Sequence, residues 1–139
     1  MRLLGIDYGT KRIGIAISDD LGMLAHEYGV LIDQSDENVI EALRQIILLE
    51  GIERIVLGLP LHMSGEEGEK TQEARDFGAM IENCLDIEVV FEDERWTTKL
   101  VDKTLREMKI SQKQARDRKD MLAAKYILQS FMDRERNTE

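Results

Sequence analysis

At 139 residues the chain is sized for one domain with a real core, and 42% hydrophobic against 34% charged residues is the balance of an ordinary globular protein. No apolar run approaches the roughly 18 residues of a membrane span. Met1-Arg2-Leu3-Leu4-Gly5-Ile6-Asp7 lacks the long apolar region and cleavage site of a signal peptide, and a single Cys excludes both an internal disulfide and a cysteine-based metal site.

The expectation is therefore one domain over 1–139, cytoplasmic, with no membrane partner. Leu3 to Ile6 is apolar and ends at the turn signal Asp7-Tyr8-Gly9-Thr10. From Arg12 to Ser18, Ile13, Ile15 and Ile17 alternate with Gly14 and Ala16, which is strand periodicity, so the first two strands form a hairpin. Asp19-Asp20-Leu21-Gly22 makes another turn, and a third strand covers about His26 to Ile32. Ser35 or Asp36 can cap a helix that runs to about Glu50 with Val39, Ile40, Leu43, Ile46 and Ile47 at helical spacing; Gly51 ends it. Arg54 to Gly58 is a short apolar strand, and a polar loop follows from Leu61 to about Glu67. A second helix, from roughly Gly68 to Cys84, presents Ala74, Phe77, Met80 and Ile81 on one side and is expected to bury the Cys84 thiol. Glu88 to Phe91 is a fifth strand and leads into Glu92-Asp93-Glu94-Arg95. A third helix spans Thr97 to Met108. After a polar stretch, a last helix runs from about Lys119 to Met132, and Arg134 to Glu139 are expected to fray. Strands four and five each follow a helix, which suits right-handed crossovers in a mixed five-stranded α/β sheet flanked by helices.

The net charge of −9, spread evenly, would repel phosphate backbones. It is not spread evenly. Arg95, Lys99, Lys103, Arg106, Lys109, Lys113, Arg116, Arg118 and Lys119 fall in one segment that holds only three acids, Asp102, Glu107 and Asp117. That segment is either a footprint for phosphates or a solvated helix face.

Three acidic positions close the argument from residues alone. Asp7 follows the first strand, Glu92-Asp93-Glu94 follows the fifth, and Asp120 opens the last helix on the stripe of Ala123, Ala124, Ile127, Leu128 and Phe131. Each has an ordinary reading: an Asx turn at Asp7, a solvated loop at the triplet, an N-cap at Asp120. Brought to one edge of a sheet, they form a set of hard oxygen ligands that suits Mg²⁺ or Mn²⁺ rather than zinc.

Gly5-Ile6-Asp7-Tyr8-Gly9-Thr10-Lys11-Arg12-Ile13-Gly14 resembles the opening signature of the YqgF (RuvX) family of Holliday-junction-resolvase-like and pre-16S-rRNA-processing proteins. Gly58-Leu59-Pro60-Leu61-His62-Met63-Ser64-Gly65 is similar to its second motif, Asp93-Glu94-Arg95-Trp96-Thr97-Thr98 to its third, and Asp120-Met121-Leu122-Ala123-Ala124 with Ile127-Leu128-Gln129-Ser130 to its fourth. Lys119 and Lys125 depart from the pattern, at positions where it has apolar residues. The resemblance implies a ribonuclease H-like fold and catalytic, metal-binding acids drawn from Asp7, Glu94 and Asp120. It implies a cytoplasmic nuclease of structured RNA or branched DNA, working in pre-16S rRNA maturation or, by fold analogy, on Holliday junctions.

Phosphodiester hydrolysis needs an in-line water and neutralisation of charge on the phosphate, which two metals about 3.5–4 Å apart supply. In that scheme Asp7 bridges, Glu94 and Asp120 flank it, and Asp93 is the reserve ligand. Lys11, Arg12 and Arg95 are candidates to grip phosphate, or else pair with neighbouring acids. Thr97 and Thr98 cap the third helix, whose N-terminus favours an anion. Trp96 either stacks on a base or packs under the acidic loop, the packing role being the one expected, and His62 is a loop residue with little to support a catalytic role. Two rivals stand behind this reading. Asp7-Tyr8-Gly9-Thr10 also resembles the phosphate loop of actin-like ATPases, which enclose a nucleotide between two such domains, and a non-catalytic RNA- or protein-binding module can keep the same fold. A monomer and a homodimer are both open, since cutting a junction symmetrically requires two sites.

Overall fold

A computed structural model describes residues 1–138. The chain runs β1 (Leu3–Tyr8), β2 (Arg12–Ser18), β3 (Ala25–Ile32), α1 (Asp36–Glu50), β4 (Arg54–Leu59), α2 (Glu69–Leu85), β5 (Glu88–Asp93), α3 (Thr97–Met108) and α4 (Gln112–Asn137). The five strands form one sheet in the order β3-β2-β1-β4-β5. The first three strands are an antiparallel meander, while β4 and β5 each join parallel to a neighbour after a helical crossover. Among the described residues no helix is long and apolar enough to cross a membrane.

Alternation along the strands divides the interior into two cores. Leu4, Ile6, Ile13, Ile15, Ile55 and Leu57 face α1 and α2, meeting Val39, Leu43, Phe77 and Ile81. The opposite face carries Leu3, Ala16 and Val56 under Ala124, Ile127, Leu128, Phe131 and Met132 of α4. α4 can lie this close because β2 presents glycine beneath it: a Cβ on Gly14 would stand 2.0 Å from the carbonyl oxygen of Asp120. Arg118, in a two-pronged pair with Glu27 at 2.8 Å on both arms, ties the helix to the edge strand β3.

Four expectations change. The polar stretch before Lys119 is helical, so Asp120 is not a helix start; Ser111 is the N-cap, accepting from the Gln114 backbone N–H at 3.2 Å while the Gln114 side chain accepts from Ser111 N–H. Ser111-Gln112-Lys113-Gln114 is a capping-box pattern, and the turns that follow are polar because they overhang the sheet and have no core to face. The fifth strand continues through Glu92 to Asp93, because buried Glu92 accepts from Ser130 Oγ at 2.8 Å and pairs with Arg134. That pair, and Arg136 bonded to Asp133 and to the Met23 carbonyl, also hold Arg134 to Asn137 in the helix where fraying was expected; Glu139 lies outside the described residues. Cys84 is exposed rather than buried, since the buried stripe of α2 ends at Ile81.

Candidate active site

Because β1, β4 and β5 are parallel, their carboxyl ends share one edge of the sheet, and the antiparallel β2 begins there. This is where open α/β sheets place their ligands. The edge carries Asp7, Pro60, Glu94 and Arg12.

Asp7, the penultimate residue of β1, pairs with Gly14 and points to the α4 face by the alternation that puts Ile6 and Tyr8 on the other. Tyr8 stacks on Phe77, ring centroids 4.2 Å apart, which fixes that end of the strand from below. Glu94 follows β5, held by its backbone N–H to the Leu59 carbonyl at 3.3 Å and by Thr97 N–H to its own carbonyl at 3.1 Å. Its carboxyl fills the space above Gly58, where a Cβ would stand 2.9 Å from Oε2.

The Asp7 and Glu94 carboxyls hydrogen-bond to each other. Burial pushes Asp7 up to about 6 against the lowering bond from Glu94; the charge of Asp120 adds to the rise and that of Lys119 opposes it. Burial, then the charge of Asp7, the shared hydrogen bond and Asp93, push Glu94 up to about 8. Near neutrality the pair therefore shares one proton between them. Among the described residues no ion pair reaches either group.

Asp120, on the third turn of α4, is close enough for Asp7 to feel its charge but is held by Arg12: Nε donates to Oδ2 at 2.6 Å, and Nη2 reaches Asp117 at 3.3 Å. The three acids thus share one end of the sheet without converging. Among the described residues no three His, Cys, Asp or Glu side chains stand close enough to hold a metal as they are. The remaining acids of the triplet have other partners. Glu92 belongs to Ser130 and Arg134. Asp93 accepts from the Arg95 backbone at 3.0 Å and from Nε at 2.8 Å; burial acts to raise it, but those bonds and the Arg95 charge hold it below the usual carboxylate range.

Asp7 and Glu94 line an open cleft of about 320 Å³ with Thr10, Pro60, Arg95 and Thr98. Arg95 spends its donors on Asp93 and on the Met63 carbonyl, 3.0 Å away, so it also braces the loop after β4. Lys11 is exposed and Thr97 is buried on the inner side of α3; neither lines the cleft. Trp96 is 56% exposed, not packed under the acidic loop. Two cleft residues escaped the sequence reading, Lys70 and Glu73 from the first turns of α2. A cation just after the Gly58-Leu59-Pro60 motif was the available signal for Lys70. His62 packs against Gly68 outside the cleft.

The raised carboxyls make a pH prediction. A carboxyl with a folded pKa above its unfolded one binds more protons folded than unfolded, so its stabilising share is full below about pH 4 and is lost as pH rises through about 6 and then 8. In EDTA, urea midpoints of the protein should fall across that window relative to an Asp7→Asn/Glu94→Gln double variant. Parallel curves for the two proteins would contradict the shared-proton pair.

A sequence profile described as RuvX, Holliday junction resolvase, matches residues 1–134. A protein of Sulfurihydrogenibium sp. named "Putative pre-16S rRNA nuclease" is 41% identical over 135 residues, which cover 96% of this chain and 90% of that one. The fold is that of the fowlpox virus resolvase solved with Holliday junction DNA, with TM-score 0.61, 11% identity and coverage of 97% and 99% of the two chains. Thermus thermophilus RuvC with a Holliday junction substrate superposes at TM-score 0.59 with 12% identity, covering 99% and 98%. These two likenesses place the sheet and its helices in the ribonuclease H-like class of folds.

Proposed function

The chain belongs to the RuvX family, and from that footing we propose that it is a metal-dependent nuclease that hydrolyses phosphodiester bonds in the 5′-end processing of pre-16S rRNA. The observation that carries the reading is the Asp7–Glu94 pair, two carboxyls drawn in together at the strand ends of an open cleft. Such a pair is costly unless it holds a proton or a cation.

The donor set fits a hard divalent cation, Mg²⁺ or Mn²⁺: all oxygen, no thiol or imidazole, and, among the described residues, no ion pair on Asp7 or Glu94. Asp7 and Glu94 would hold it, with Asp120 joining once Arg12 lets go. When bound, such an ion lowers the pKa of water and neutralises charge on a phosphate. The chain's own residues do the rest. With a cation held there Glu94 would stand ionised, its proton passed to solvent. Arg12, released from Asp120, becomes a two-pronged donor for a phosphate oxygen at the mouth of the site. Lys70 supplies a flexible point charge from the opposite wall, and Thr10 and Thr98 offer hydroxyls to the backbone of the strand. Arg95 keeps the loop after β4 in place. The work proposed for the protein is cytoplasmic, on structured RNA.

A second reading, resolution of four-way DNA junctions, is favoured by the family description and by the fold shared with two resolvases. One experiment separates them. Purified protein with Mg²⁺ or Mn²⁺ is given labelled pre-16S rRNA fragments and four-way DNA junctions in parallel. Cutting of the rRNA fragment at its 5′ side, lost in EDTA, is the expected result. Preferential, symmetric cutting of junctions would transfer the assignment to the resolvase reading. Binding of both with cleavage of neither would leave a non-catalytic module.

A further inference from the structure

Trp96 is the chain's only tryptophan and is more than half exposed, next to two cleft residues, Arg95 and Thr98. It caps α3, and counting along that helix places Lys99, Lys103 and Arg106 on the same stripe as its ring. All four residues are exposed. The stripe lies opposite the face that carries Thr97 and Val101 into the packing and bonds Thr104 to Tyr126 of α4. Lys99 Nζ sits over the Trp96 ring, 5.6 Å from its centroid. Among the described residues none of these three bases is in an ion pair, although Asp102 and Glu107 lie on the same helix, whereas Arg95, Arg118 and Arg12 each are. On a chain of net charge −9, an exposed aromatic ring leading into unpaired cations is unusual. Packing does not require it, since the ring is outside both cores.

We propose that Trp96 with Lys99, Lys103 and Arg106 is a landing strip for single-stranded nucleic acid leading out of the cleft. An unpaired base stacks on the indole, and the phosphates that follow it run along the three cations. The stripe from Trp96 to Arg106 rises about 15 Å, enough for roughly four nucleotides. A flat ring takes any base, and a duplex keeps its bases stacked inside, so the site selects unpaired strand rather than sequence. This rests on the nuclease reading for its place beside the cleft and adds to it which part of a folded substrate the protein holds: the unpaired segment next to the bond that is cut.

The lone tryptophan makes the test direct. In EDTA, where no cleavage occurs, the protein is titrated with single-stranded RNA and DNA oligonucleotides and with the matching duplexes, and both indole fluorescence and the anisotropy of labelled oligonucleotide are read. Single strands of either sugar should quench Trp96 to saturation and duplexes should do so poorly. Trp96→Ala should bind single strands roughly 5- to 150-fold more weakly, and Trp96→Phe should recover most of that loss. Removing all three charges should lower the slope of log affinity against log salt by about 2. Single strands that bind without quenching, or with unchanged affinity in Trp96→Ala, would overturn the proposal, as would failure to bind them at all. Cleavage with Mg²⁺ is scored separately. Quenching and loss in Trp96→Ala from a protein that cuts nothing would keep the strip and discard the nuclease. Cutting by Trp96→Ala with unchanged kcat and KM would do the reverse.

Discussion

Replacing Asp7 by Asn is expected to abolish cleavage and, at the same time, to make the metal-free protein more stable. The two effects have one cause. Asp7 sits within hydrogen-bonding distance of Glu94, both drawn in from water, and burial lifts the first to about 6 and the second to about 8. A carboxyl raised by about two pH units costs the fold about 3 kcal/mol when ionised, at ~1.4 kcal/mol per unit. Asn keeps the shape and a partner for Glu94 without the charge. At pH 8 in EDTA, Asp7→Asn should therefore melt roughly 9 °C above the parent. With Mg²⁺ the sign of the advantage reverses, because the parent gains a ligand that the variant binds poorly. Activity should fall at least about 10³-fold, since cation-assisted charge stabilisation is worth several kcal/mol and each ~1.4 kcal/mol is tenfold in rate. Calorimetry and cleavage on the same two samples read both effects. A variant that is less stable than the parent without metal would mean that Asp7 is a structural turn residue, and one that still cuts would remove it from the chemistry.

Gly14→Ala should be nearly as damaging, through the backbone. A methyl at this position would lie 2.0 Å from the carbonyl oxygen, 2.4 Å from the carbonyl carbon and 3.0 Å from Cβ of Asp120. The first two atoms belong to a helix backbone, which cannot rotate aside as a side-chain tip can. α4 must lift by more than an ångström, and with it Ala124, Ile127, Leu128 and Phe131, which seal the second core. We expect a loss of about 3 kcal/mol, at the upper end for overpacking, read as a lower urea midpoint with unchanged slope. Asp120 and its Arg12 partner move with the helix, so cleavage should fall even where the variant is folded. Gly29→Ala on β3 is the control. A Cβ there meets nothing within 4 Å, so it should be neutral or slightly stabilising. Similar effects from both substitutions would contradict the close docking of α4 on β2.

Much of this arrangement was legible from residue order. Ile13, Ile15 and Ile17 alternate with small residues, and the structure buries those three isoleucines against α1 and α2 while Gly14 and Ala16 face α4. Ser35 and Gly51 bracket α1 as their residue types suggest, with Gly51 in the left-handed conformation at φ 66°. Asp7 and Glu94 were legible because each ends an apolar strand, and parallel strands must end on the same edge. What sequence spacing could not reveal is which acid meets which base. Arg12 and Asp120 are 108 residues apart in the chain, and Arg118 and Glu27 are 91 apart. Only the docking of α4 across the meander brings them together. The same docking decides that Glu92 can be buried in a strand, since Ser130 and Arg134 arrive from α4. Trp96 was misplaced for a different reason: the helix it opens turns Thr97 and Val101 inward and bonds Thr104 to Tyr126 of α4, which leaves the indole on the outer side.

The most direct test of the site is diffraction from crystals grown at about pH 8 with Mn²⁺, with the anomalous signal measured. An anomalous peak is expected at the carboxylates of Asp7 and Glu94, with their mutual hydrogen bond gone and Asp120 turned from Arg12 toward the ion. A fully loaded crystal with the Asp7–Glu94 bond intact and manganese bound elsewhere would contradict this assignment.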